Sequence, residues 1–272
     1  NVYGTDFGTS MAAPAVSGML ALMLQQYRIS TGQPLTNPAP STLKAAAIQG
    51  AIDLGNSGPD YKFGWGRVDA KNSVELVRRG KYLEGTVGNG QTLSYVAPIQ
   101  ACDGPLKVTL VWDDPAAADM ANTAYVNDLD LTLVAPNSSV FRPWLLDPAN
   151  PGTAASTGTD FRNNVEQVQL LAPAIGSWTI RVFGHTVTSM SGQRFSLASE
   201  ALPVAPTLTS LSQAVVVPGQ QIVLHGSEFG CAQGSGSVAF GGGVFGTVAP
   251  ANWTNDAITL TVPLNAQTGG VI

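Results

Sequence analysis

The first residue of the chain with an evident use in chemistry is a serine placed directly after Gly-Thr. In "GTDFGTSMAAPAVSG" (residues 4–18), Gly8 and Thr9 precede Ser10, and Met11, Ala12, Ala13 and Pro14 follow it. The spacing predicts a helix from Met11 to Leu24. Its apolar residues, Met11, Val16, Met19, Leu20, Leu22, Met23 and Leu24, point all round the cylinder, as in a fully buried helix. A serine at the mouth of such a helix holds its hydroxyl at the positive end of the macrodipole. Its own N–H lacks an intrahelical partner and is free to donate to a developing oxyanion. The plain alternative is that Ser10 or Thr9 merely caps the helix, since both types are favoured there.

The longer stretch decides between these. GTSMAAPAVSG resembles the nucleophile segment of the subtilisin-like serine proteases (subtilases). "YKFGWGRVDAKNSVELV" (residues 61–77) resembles the closing segment of the same family, a Gly-rich turn followed by Val-Asp-Ala and a final helix. Asp69 is the expected cap of that helix, and Arg78, Arg79 and Gly80 its expected end. Between them "STLKAAAIQGA" (41–51) predicts a short helix with Ser41 as cap. The resemblance implies that Ser10 is the nucleophile of a secreted endopeptidase acting on protein or peptide substrates. The Ser10 N–H then belongs to the oxyanion hole, and Gly8 and Thr9 shape the substrate-facing turn.

A serine hydroxyl attacks only when a general base takes its proton and a carboxylate orients that base. In subtilases the chain order is Asp, His, Ser, so both partners are expected upstream. The nine residues before Ser10 contain no histidine; Asp6 has no imidazole to orient, and Asn1 is too near to be the family's oxyanion asparagine. The expectation is therefore the C-terminal portion of a larger protease, whose missing N-terminal part of the catalytic domain is its natural partner. On its own the chain is expected to be inactive. The alternative is a non-catalytic binding or structural fragment of a former protease, with Ser10 a relic.

The rest of the chain reads as β-structure. Only 11% of its 272 residues are charged, while it holds 30 glycines and 18 prolines, a mix that suits extracellular β-domains with many tight turns. A net charge of −5 argues against a nucleic-acid partner. No apolar run approaches the length needed to cross a bilayer. The architecture expected is multi-domain: residues 1–83 the C-terminal piece of an α/β subtilisin fold, 84–201 an antiparallel β jelly roll, and 202–272 an incomplete Ig-like β-sandwich.

Within 84–201, "LKVTLVWDDP", "DLDLTLVAP", "GSWTIRVFG" and "RFSLASE" alternate at the period of a strand. "VTLVWDDP", "YVNDLDLTLVAPN", "NNVEQVQL" and "GSWTIRVFG" resemble the β-barrel domain of some bacterial alkaline subtilases and, more broadly, the P-domain of proprotein convertases. Asp128 and Asp130 share a strand face, and Asp113 and Asp114 end another strand. Carboxylates on neighbouring segments supply the oxygens calcium requires; a solvated strand face is the alternative. The resemblance favours calcium, with Asp114, Asp128 and Asp130 as ligands and Asn163, Asn164 and Glu166 as further candidates. "VVPGQQIVLHGSEFG", "GSVAFGGG" and "WTNDAITLTVP" resemble a TIG (IPT) module. His225 reads as a strand histidine and His185 as a turn histidine. Cys102 and Cys231 either pair with each other, pair elsewhere, or stay free.

Overall fold

A computed structural model of the chain describes residues 7–121 and 125–269; Asn1 and Asp6 lie outside the described residues. The chain divides into two units, one of residues 1–99 and 104–203, the other of 100–103 and 204–272.

In the first unit, α1 (Thr9–Thr31) runs seven residues beyond the expected end and stops at Gly32, in the left-handed conformation at φ 64°. Gly8 occupies its N-cap, and no side chain caps it. The capping role considered for Thr9 and Ser10 is thus not taken. Only Met19 and Met23 are buried; Met11, Leu22 and Ile29 are 45%, 52% and 65% exposed. A helix apolar all round is covered along one side within these residues. Next, α2 (Pro40–Gly50) starts at Pro40, whose preset φ suits the first helical position. Ser41 is not its cap. Ala39 holds that place, and the Ser41 hydroxyl is buried 2.9 Å from Ser196 Oγ. After a turn comes α3 (Ala70–Arg78), where Asp69 accepts the Asn72 N–H at 2.9 Å as its N-cap. Ile52 and Arg67 exchange two N–H···O bonds of 2.9 Å across that turn. Gly66, at φ 102°, sits where a Cβ would collide with the Ile52 carbonyl.

The strands follow as β1 (Tyr82–Val87), β2 (Thr92–Ile99), β3 (Leu106–Trp112), β4 (Asp128–Val134), β5 (Val140–Phe141), β6 (Trp144–Leu145), β7 (Ser156–Thr157), β8 (Val165–Leu170), β9 (Gly176–Thr186) and β10 (Gln193–Ala198). Two antiparallel sheets, ordered β1-β10-β3-β8 and β2-β9-β4-β5, enclose one core. Leu106, Val108, Leu110, Trp112, Phe195 and Leu197 fill it from the first sheet. Leu129, Leu131, Leu133, Trp178, Ile180 and Val182 fill it from the second. Each such side chain contributes about 1.5–3 kcal/mol of hydrophobic burial. The alternation read from the sequence marks these faces correctly.

The other face of the first sheet is also covered. Val111, Val165 and Ala198 pack with Met19, Met23, Ala45, Ala46, Ala47 and Val77 of the helices. Beside this apolar contact runs a polar one: Thr109 Oγ1 donates to Gln49 Oε1 at 2.8 Å, and Gln49 Nε2 donates to the Lys107 carbonyl at 3.0 Å. The helical segment and the two sheets therefore form three layers of a single unit.

In the second unit, β11 (Thr207–Leu211), β12 (Gln221–Ser227), β13 (Val238–Phe240), β14 (Val244–Gly246) and β15 (Ala257–Thr261) form a sheet ordered β11-β12-β15 and a β13–β14 hairpin. Ile222, Leu224, Ile258, Leu260 and Val262 are buried with Trp253, as their alternation predicts. A disulfide joins Cys102 to Cys231, with 5.6 Å between their Cα atoms. It ties the loop Gln100–Asp103, borrowed from between β2 and β3, into this unit. The Cys231 N–H donates to Gln100 Oε1 at 2.8 Å on the same loop.

Candidate functional site

Ser10 lies exposed in the first turn of α1. The Gly8 carbonyl accepts the N–H groups of Met11 and Ala12 at 3.0 and 3.1 Å and closes that turn. Pro14 has no N–H to return to the Ser10 carbonyl. With Gly8 at the cap, the Ser10 hydroxyl is left uncommitted at the positive end of a 23-residue helix. The two histidines stand in β9 and β12. His185 belongs to a strand rather than a turn, because β9 runs on through Thr186, and its Nδ1 lies 3.3 Å from Asp130 Oδ2. His225 projects to solvent from the face opposite Ile222 and Leu224. Neither forms a described bond to Ser10.

The acidic residues converge at the end of the sandwich where β4 begins. Asp128 and Glu166 are 6% and 1% exposed, and Asp160 is 2% exposed. A solvated strand face does not describe them. Glu166 Oε2 accepts the Leu131 N–H at 2.6 Å, yet its Oε1 is buried without a partner, as is Asp128 Oδ1. Burial pushes the Glu166 carboxyl well above the usual carboxylate range. The Leu131 N–H opposes that rise, and the charges of Asp130, Asp160 and Asp128 add to it. Asp128 is raised by burial first and then by the Asp130 charge. Tyr125 is raised by burial and then by Asp128, Asp160, Asp114 and Asp130, which places its phenol among the same acids.

The individual candidates fare differently. Asp114 spends both oxygens on backbone, accepting the N–H groups of Val126 at 2.5 Å and Asn127 at 2.9 Å. Asn163 Nδ2 donates to Asp160 Oδ2 at 2.6 Å, and Asn164 Nδ2 donates to the Trp112 carbonyl at 2.9 Å. Asp160, a member of the cluster, stands outside the sequence-based set; it sits in an irregular segment with no alternation to mark it. Two orphaned, buried carboxylate oxygens, Asp128 Oδ1 and Glu166 Oε1, are of the chemistry a divalent cation takes. Among the described residues, the one group of three side chains with ligand atoms mutually within 4.8 Å is Cys102, Asp103 and Cys231, and its sulfurs are already joined to each other. A cation at the acidic cluster therefore needs backbone carbonyl or amide oxygens besides the carboxylates.

Residues 1–66, about a quarter of the chain, match the model of the subtilase family. The chain is 25% identical over 201 residues to a serine protease/ABC transporter B family protein of Dictyostelium discoideum, covering 66% of this chain and 11% of that protein. It is 36% identical over 72 residues to an extracellular serine protease of Serratia marcescens, covering 26% of this chain and 6% of that protein. To a subtilisin-like protease of Arabidopsis thaliana it is 39% identical over 72 residues, covering 26% and 7%. The chain spans about a tenth or less of the length of these curated relatives. No helix among the described residues is long and apolar enough to cross a membrane.

Proposed function

We propose that the chain is the nucleophile-bearing part of a secreted subtilisin-like serine endopeptidase that hydrolyses protein or peptide bonds. Ser10 attacks the scissile carbonyl. Its own N–H, at the head of α1, helps to hold the oxyanion, and Gly8 and Thr9 form the turn that meets the substrate. The observation that carries this reading is the Ser10 hydroxyl itself: uncommitted, exposed and at a helix N-terminus, in the segment that matches the subtilase model. Its base, the carboxylate that orients the base and the oxyanion asparagine are assigned to a preceding part of the catalytic domain. That part would also cover the bare side of α1 that carries Met11, Leu22 and Ile29. Without it, the 272 residues are inactive.

The β-layers take supporting roles: the two-sheet sandwich as a jelly roll, the second unit as a TIG-type Ig-like module. Calcium is assigned to the acidic cluster, held by Asp128 and Glu166 with Asp130 and Asp160 beside them, and Asp114 shaping the loop that delivers Asp128. When bound there it supplies positive charge to a buried group of carboxylates and no step of peptide hydrolysis.

The test is labelling with a fluorophosphonate, which reacts with activated serines and ignores ordinary ones. The complete protease should label at Ser10 and this chain should not. Ser10→Ala should lower peptidase activity of the complete protease by about 10⁶-fold and leave its melting temperature unchanged. Full activity in that variant excludes Ser10 as nucleophile. Absence of labelling in the complete protease favours the non-catalytic fragment.

A further inference from the structure

The two carboxylates that follow β3 have separate attachments. Asp113 Oδ2 accepts the Ser41 N–H at 3.1 Å, in the first turn of α2. Asp114 holds the Val126 and Asn127 N–H groups, directly ahead of Asp128 and Asp130. The two ends are cross-tied. Asn127 is wholly buried; its Nδ2 donates to Gln193 Oε1 at 2.5 Å, and Gln193 Nε2 donates to the Asp113 carbonyl at 3.0 Å. The Trp112 indole N–H donates to the Asn127 carbonyl at 3.1 Å and completes the bracket.

The helix at the other end depends on it. With Ala39 as N-cap, α2 has no cap of its own. Its first-turn donors are satisfied by distant carboxylates instead: the Ser41 N–H by Asp113, and the Ala39 N–H and Thr42 hydroxyl by Glu84 Oε1 at 2.8 and 2.6 Å. Bonds of this kind stabilise the first turn of a helix as a local cap would. Its alanines in turn pack with Met19 and Met23 of α1.

We propose that Asp113 and Asp114 are a pair of positioning residues that couple a divalent cation in the acidic cluster to the seating of α2. The inference rests on the cation assignment made above. A cation held by Asp128 and Glu166 fixes the segment 125–128. That segment holds Asp114, and through it Asp113 is held at the start of α2. In the cation-free state the bracket loosens, the Ser41 N–H loses Asp113, and Glu84 alone is left at the first turn of α2.

The test is amide hydrogen exchange of the whole chain with and without calcium chloride, magnesium chloride as control, and titration calorimetry alongside. Calcium should slow exchange in both β4 and α2, by about tenfold at α2 residues 42–49. Asp113→Ala, which removes the acceptor of the Ser41 N–H, should bind calcium within about threefold of the parent and keep the slowing in β4, but lose it in α2. Ser196→Ala, which removes two hydroxyl contacts to α2 and leaves Asp113 in place, should retain it. Heat of binding with slowing confined to β4 overturns the inference and leaves the cation assignment standing. No heat of binding overturns both. Should Asp113→Ala fail to fold, the parent's α2 exchange decides alone: unchanged by bound calcium, it overturns the coupling.

Discussion

Asp128 concentrates the physics of the acidic cluster in one side chain. Its Oδ1 is buried without a partner, and both burial and the Asp130 charge oppose its ionisation. Replacing it by Asn keeps the shape and removes the charge. In chelator, Asp128→Asn should stabilise the first unit by about 1 kcal/mol, read as a rise of about 2–4 °C in melting temperature for a unit of this size. In calcium the order should reverse, with the parent melting higher, because the variant has surrendered a ligand. Equal melting in both conditions would disconnect Asp128 from any cation. Ser10 is the opposite kind of residue. It is exposed and bonded to no other side chain among the described residues, so its removal is expected to be silent in stability and, on the function proposed, decisive in catalysis.

At the level of elements, α1 meets β1 through Tyr27 and Tyr82, whose ring centroids lie 5.8 Å apart. Burial, and then Tyr27 and Glu84, push the Tyr82 phenol up to about 12. In the unfolded chain it ionises near its ordinary value of about 10. Between these values the unfolded state has lost a proton that the folded state keeps, so stability falls as pH rises from about 10 towards 12. Thermal melts at pH 9, 10 and 11 should therefore show a decline that Tyr82→Phe makes shallower by up to one proton. The same element boundaries show what the sequence tells and what it withholds. Asp69, Gly80 and the alternation of Leu129, Leu131 and Leu133 act through neighbours a few residues away, and their structural roles were legible. The cap of α2 was not, because Asp113 and Glu84 lie 72 and more than 40 residues downstream. Ser41, the local candidate, turns instead to Ser196. Nor could alternation in "LKVTLVW" tell that Thr109 and Val111 lie beneath helices rather than facing water. The Ser10 segment was legible because its signal is a contiguous motif. The acidic cluster was partly legible: strand spacing gave Asp128 and Asp130, the family resemblance gave Glu166, and nothing local marked Asp160.

As a whole, the molecule should melt in two steps, since its cores are distinct: helices and sandwich in one unit, and the Ile222–Val262 cluster in the other. The disulfide lies within the second unit, so reduction should lower that transition alone. The loss should be at least about 2 kcal/mol, or about 10 °C for so small a unit, and a calorimetric scan with and without dithiothreitol checks it. A single transition, or an equal shift of both, would refute the division. The loop Gln100–Asp103 gives that bond another consequence. Its backbone continues directly into β2 on one side and towards β3 on the other, while its cysteine holds Cys231. A proteinase that nicks the Pro-rich connector near Pro203–Pro206 therefore severs the chain without shedding the module. In an oxidising medium the cut pieces migrate as one covalent species, and the module departs only after a reductant arrives. Release takes two unrelated chemical events, a hydrolysis and a reduction, and that makes the appendage hard to lose.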